Sequence, residues 1–131
     1  MAPRTGPKRR PGSILTVNLK SAWMTIKHAL PIMRGQNAGV IVNISSLASL
    51  AGSNQVAYEV SKAAMNRLTT SVANANAAYG VRCNAVLPGL MDTPMAISGI
   101  ATAVGSSTGA VREARNARVP PRGKMGTAWE C

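Results

Sequence analysis

The sequence predicts an α/β fold built on a parallel sheet. Two short apolar runs, the β-branched Val40–Ile44 and then Val81–Leu87, each follow a segment of helical periodicity. Strands that alternate with helices in this way pair in parallel through crossover connections. From residue 14 the order is helix, strand, helix, strand.

Residues 1–13 hold Arg4, Lys8, Arg9 and Arg10 with no acid, and Pro3, Pro7 and Pro11 oppose a helix there. They read as a basic disordered tail that lacks the apolar core of a signal peptide, leaving residues 14–131 as one domain. From Ile14 to Met33, Leu15, Leu19, Trp23, Ile26, Leu30 and Met33 recur every three or four positions. That is one face of a helix, with Ser13 as its N-cap and Pro31 ending or kinking it. A polar turn at Arg34–Gly39 leads into Val40–Ile44, which reads as a strand buried on both faces. Residues 45–55 form a Ser/Gly/Asn loop. Val60, Ala64, Leu68, Val72 and Ala75 then mark the inner face of a second helix over residues 56–79, which Gly80 stops. Val81–Leu87 is the second strand, ended by Pro88-Gly89. The Gly-, Ser- and Thr-rich stretch Leu90–Gly109, followed by a short basic helix at Ala110–Arg118, makes residues 90–128 a mobile flap over the strand ends.

Composition narrows the function. The chain of 131 residues carries a net charge of +11, yet its aromatics are only Trp23, Trp129, Tyr58 and Tyr79. Arg112, Arg115 and Arg118 at a spacing of three suggest a basic nucleic-acid-binding module, against which stand the few aromatics and the lack of a glycine-aromatic RNA motif. No apolar run is long enough to cross a membrane, because Lys20, Lys27 and His28 interrupt the best candidate. Cys83 and Cys131 form neither a disulfide framework nor a metal site, so a reducing, cytoplasmic setting is expected.

Ligands of open α/β sheets bind beyond the carboxyl ends of the strands, which here carry Ser45-Ser46 and Pro88-Gly89. Near the start of the second helix, Tyr58 and Lys62 lie four residues apart and therefore on one face. A phenol, with a pKa of about 10, exchanges protons poorly at neutral pH, and an ammonium one turn away favours the phenolate. Such a pair can pass a proton, and a serine hydroxyl at the strand end can orient a carbonyl oxygen. A Tyr–Lys pair alone is common on solvated faces, Ser-Ser after a strand is ordinary turn chemistry, and Thr93 before Pro94 can be a simple helix cap.

Five stretches give these residues a joint meaning: Val17–Lys20, Gly39–Ser46, Tyr58–Ala64, Gly80–Val86 and Pro88–Thr93. In this order they resemble the short-chain dehydrogenase/reductase family over residues 14 to about 95. The resemblance implies a Rossmann-like, doubly wound parallel sheet, present here as an incomplete fragment, and hydride transfer between NAD or NADP and a small carbonyl or alcohol. It implies that Tyr58 is the general acid/base and that Lys62 supports it while contacting the nicotinamide ribose. Asn18 would hold a water in the proton relay, and Pro88, Gly89 and Thr93 would line the nicotinamide. The catalytic serine is Ser46 by strand register, or Ser45 counted back from Tyr58. It further implies pairing of subunits through the helices at 14–33 and 56–79. No glycine-rich loop follows a strand, so the expectation is weak dinucleotide binding and a weakly active chain, or an inactive fragment serving as an interaction partner.

Overall fold

A computed structural model describes residues 11–52, 55–119 and 122–131. The described residues divide into two compact units, residues 11–87 and residues 88–131. Most of the expected basic tail, residues 1–10, lies outside the described residues.

In the first unit the chain is helical from Pro11 to Gly35, as α1 (Pro11–Leu15), a π-helical turn (Thr16–Lys20) and α2 (Ser21–Gly35). Ser13 therefore lies inside α1 and is not an N-cap, and the helix begins within the span expected to be tail, at Pro11, a residue well suited to a first helical position. Pro31 does not end the helix. It is exposed, and the helix runs on to Gly35 without the N–H that Pro31 lacks. The π turn inserts one residue and shifts the side-chain phase. Trp23 accordingly falls off the stripe and stays 58% exposed, while Ile26 is buried at 5%.

β1 (Gly39–Ile44) and β2 (Val81–Val86) pair in parallel, in register from Gly39 against Val81 to Ile44 against Val86. Between them runs α3 (Val56–Asn76), extended by a 3-10 turn at Ala77–Tyr79. Gly80 closes that turn at φ 66°, where a Cβ would stand 2.5 Å from the Asn37 carbonyl oxygen. β1 is not buried on both faces. Ile41 packs with Ile26, Val72 and Cys83, whereas Val40, Val42 and Ile44 are exposed. The alternation follows the two-residue period of a strand whose one face alone is covered by helices.

The buried face of α3 keeps the expected Val72 but elsewhere lies one position on, at Ser61, Met65, Thr69 and Asn76, with Val60 exposed. Its polar members are satisfied locally. Thr69 Oγ1 donates to the Met65 carbonyl at 2.8 Å and accepts from Asn43 Nδ2 at 2.9 Å. Asn76 Nδ2 donates to the Val72 carbonyl, and its Oδ1 accepts from Arg34 Nε, both at 2.6 Å. Burial also pushes the Cys83 thiol pKa up, partly opposed by its contact with Thr69, while Cys131 is exposed.

The second unit is no loose flap. β3 (Met91–Asp92) pairs in parallel with β4 (Gly126–Thr127), and α4 (Pro94–Val104) and α5 (Thr108–Asn116) lie between them in sequence. Thr93 Oγ1 caps α4 by accepting from the Ala96 amide, and Ser107 caps α5 in the same way through Ala110. Ile97, Ala101, Val111 and Met125 form its core. Asp92 pairs with Arg112 at 2.7 Å. Among the described residues no helix is long and apolar enough to cross a membrane, and no side-chain group has a metal-binding arrangement.

Candidate active site

The candidate site forms where β1 ends against the first turns of α3. The Ser45 amide donates to the Val86 carbonyl at 2.8 Å, carrying the β-ladder one residue past β1. Ser45 is buried, and its Oγ donates to the Lys62 carbonyl at 3.0 Å. Lys62 reaches back, its Nζ donating to the Ile44 carbonyl at 2.7 Å. The strand end and the helix start are thus held together by two reciprocal bonds. Lys62 Nζ also lies 5.8 Å from the centre of the Tyr58 ring, within cation–π range. Burial lowers the Lys62 pKa, because desolvation disfavours the ammonium.

Ser46 lies in the turn after the strand. Its Oγ accepts from the Ala48 amide at 3.2 Å, which leaves the hydroxyl proton free to donate elsewhere. The Ser46 carbonyl accepts from Ser49 Oγ at 2.6 Å, and Ser49 Oγ accepts from Asn66 Nδ2 at 2.7 Å. A second link therefore ties this turn to α3.

Asn18 sits in the π turn. Its Nδ2 donates to Ser61 Oγ at 3.0 Å, and Ser61 Oγ donates to the Tyr58 carbonyl at 2.7 Å. Asn18 thus contacts α3 through this bond, and the π geometry occurs where such bulges often mark function. Ser61 is fully enclosed at 0% exposure.

The structure brings Tyr58, Lys62, Ser45 and Ser46 to the end of β1 and links Asn18 to the Tyr58 backbone. Pro88, Gly89 and Thr93 belong to the second unit, where Pro88 is half-buried, Gly89 is exposed and Thr93 acts as the α4 cap. Sequence reasoning missed Ser61 and Asn66. Ser61 carried one readable signal, since it lies three residues after Tyr58 on the same helical face.

A parallel strand pair with hydroxyl, phenol and ammonium groups at the carboxyl end of its first strand defines a Rossmann-like α/β fold. The model of the short chain dehydrogenases matches residues 8–102, and the chain belongs to that family. It is 46% identical over 92 residues to the 2-(R)-hydroxypropyl-CoM dehydrogenase of Xanthobacter autotrophicus, covering 70% of this chain and 37% of that protein. It is 44% identical over 85 residues to the 7alpha-hydroxysteroid dehydrogenase of Clostridium sardiniense, covering 64% and 32%. NAD+-bound xylitol dehydrogenase superposes with a TM-score of 0.81 at 32% identity, over 95% of this chain and 51% of that one. Levodione reductase gives 0.83 at 28% identity, over 90% and 46%. The chain thus spans about a third of these curated relatives and about half of these solved structures.

Proposed function

We propose that the chain carries the proton-transfer side of an NAD- or NADP-dependent oxidoreductase acting on a small carbonyl or alcohol. The observation that carries this reading is the placement of Lys62 Nζ, 2.7 Å from the Ile44 carbonyl and 5.8 Å from the Tyr58 ring centre, at the end of β1. Tyr58 donates its phenolic proton to the carbonyl oxygen in reduction and accepts it in oxidation. The Ser46 hydroxyl donates to the same oxygen and stabilises the charge that develops on it. Asn18 steadies the Tyr58 turn and holds a relay water.

The residues present fit the nicotinamide side of the cofactor. An ammonium has three donors, and Lys62 spends one on Ile44, leaving two for ribose hydroxyls. For Pro88, Gly89 and Thr93, lining the ring is what the family resemblance implies. When bound, the nicotinamide supplies or accepts the hydride. Exposed Trp23 and Val60 on α2 and α3 support self-association through these helices, and a cytoplasmic setting suits the exposed Cys131 thiol.

The test combines turnover with binding. Carbonyl reduction followed by nicotinamide absorbance is expected to vanish in Tyr58→Phe, and unchanged turnover would overturn the tyrosine role. Saturation-transfer NMR with reduced nicotinamide mononucleotide is expected to show contact that Lys62→Met removes; equal transfer in both chains would overturn the lysine role.

A further inference from the structure

In the second unit α4 and α5 flank an open cleft of about 320 Å³, lined by Ile100, Val104, Val111, Ala114, Arg115 and Arg118 among others. That volume is at the small end of ligand pockets. Val111 is buried and joins the core with Ile97 and Ala101, so the cleft has an apolar floor. Arg115 and Arg118 lie one turn apart at its rim, the Arg118 amide donating to the Arg115 carbonyl at 3.1 Å.

Neither arginine is in an ion pair among the described residues. The chain holds only four acids, Glu59, Asp92, Glu113 and Glu130. Among the described residues the ion pairs are Arg112 with Asp92 and Arg122 with Glu130. Arg115 Nε instead faces the Met125 sulfur at 3.2 Å. Burial first, then the neighbouring Arg118 charge, lowers the Arg115 pKa, with Asp92 partly opposing. Two like charges beside an apolar cleft are relieved by an anion, and planar guanidinium groups match a carboxylate in particular.

We propose that this cleft binds a small amphipathic carboxylate, its head bridging Arg115 and Arg118 and its short apolar tail lying on Ile100, Val104 and Val111. The proposal is independent of the dehydrogenase reading, because it concerns a separate set of residues and needs no turnover.

The probe is octanoate, titrated into the full chain and followed by amide NMR shifts, with acetate and octanol as controls. Saturable binding with shifts confined to α4 and α5 is expected, at least about tenfold tighter than either control. Arg118→Gln changes only an exposed side chain, and it is expected to weaken octanoate by about tenfold. Arg115→Gln/Arg118→Gln should abolish saturable binding while helical circular dichroism is retained. Acetate binding as tightly as octanoate, octanoate affinity unchanged in Arg118→Gln, or shifts centred on α2 and α3 would each overturn the proposal.

Discussion

Lys62 holds the end of β1 from outside the strand: its Nζ donates to the Ile44 carbonyl at 2.7 Å. The Ser45 hydroxyl returns the bond to the Lys62 carbonyl at 3.0 Å. The lysine therefore has a structural part beside the chemical one proposed for it.

This gives a pH prediction. Burial lowers the Lys62 pKa below its unfolded value, so the unfolded chain binds the proton more tightly. The penalty for keeping the ammonium charged is present below the folded pKa. It is relieved as pH rises through that value toward the unfolded one. Denaturant midpoints measured from neutral to alkaline pH should show the wild type gaining stability relative to Lys62→Met. A difference that stays flat with pH contradicts this.

The Asn18–Ser61–Tyr58 chain predicts coupling. Ser61→Ala leaves the Asn18 amide without its partner and should destabilise by about 1–2 kcal/mol in urea unfolding. A double-mutant cycle with Asn18→Ala should give a coupling energy of about 0.5–1 kcal/mol. Additive single effects would show that the bond contributes nothing.

Gly80→Ala should be costly for two separate reasons. Its φ of 66° lies in the left-handed region, at a cost of roughly 1–2 kcal/mol for an L side chain. The new Cβ would also press on the Asn37 carbonyl. A loss of at least about 2 kcal/mol by chemical denaturation is expected. Gly105→Ala has the same backbone strain at φ 68° without a neighbour within 4 Å, and should lose less.

At the carboxyl end, the Thr127 backbone and the Arg122 guanidinium hold the Glu130 carboxyl pKa down to about 2. The Glu130 carboxylate accepts from the Thr127 amide at 2.7 Å. Because the folded pKa is depressed, this local stabilisation is complete above the ordinary glutamate range and fades as pH falls toward 2. The Thr127 amide shift should titrate with a midpoint near 2, and Glu130→Gln should remove that titration.

The parallel pair was legible because a β-branched run after Gly39 marks the first strand, and Gly80 and Pro88-Gly89 bracket the apolar second one. The phase of α3 was not. Ser61, Thr69 and Asn76 are buried because hydrogen bonds satisfy them, and hydrophobic periodicity does not register satisfied polar groups. α4 was hidden by its composition, although Thr93-Pro94 and Gly105 supply a readable start and stop. The π turn has no comparable sequence signal. Within the site, the Tyr58–Lys62 spacing was plain, whereas the Asn18–Ser61 bond crosses 43 positions of chain and emerges only from packing.

The two thiols lead to a practical end. Cys83 is enclosed and reluctant to ionise, whereas Cys131 stands in solvent. A maleimide dye offered to the folded chain should attach at its final residue alone, giving spectroscopists a ready-made reporter position with no engineering of the backbone.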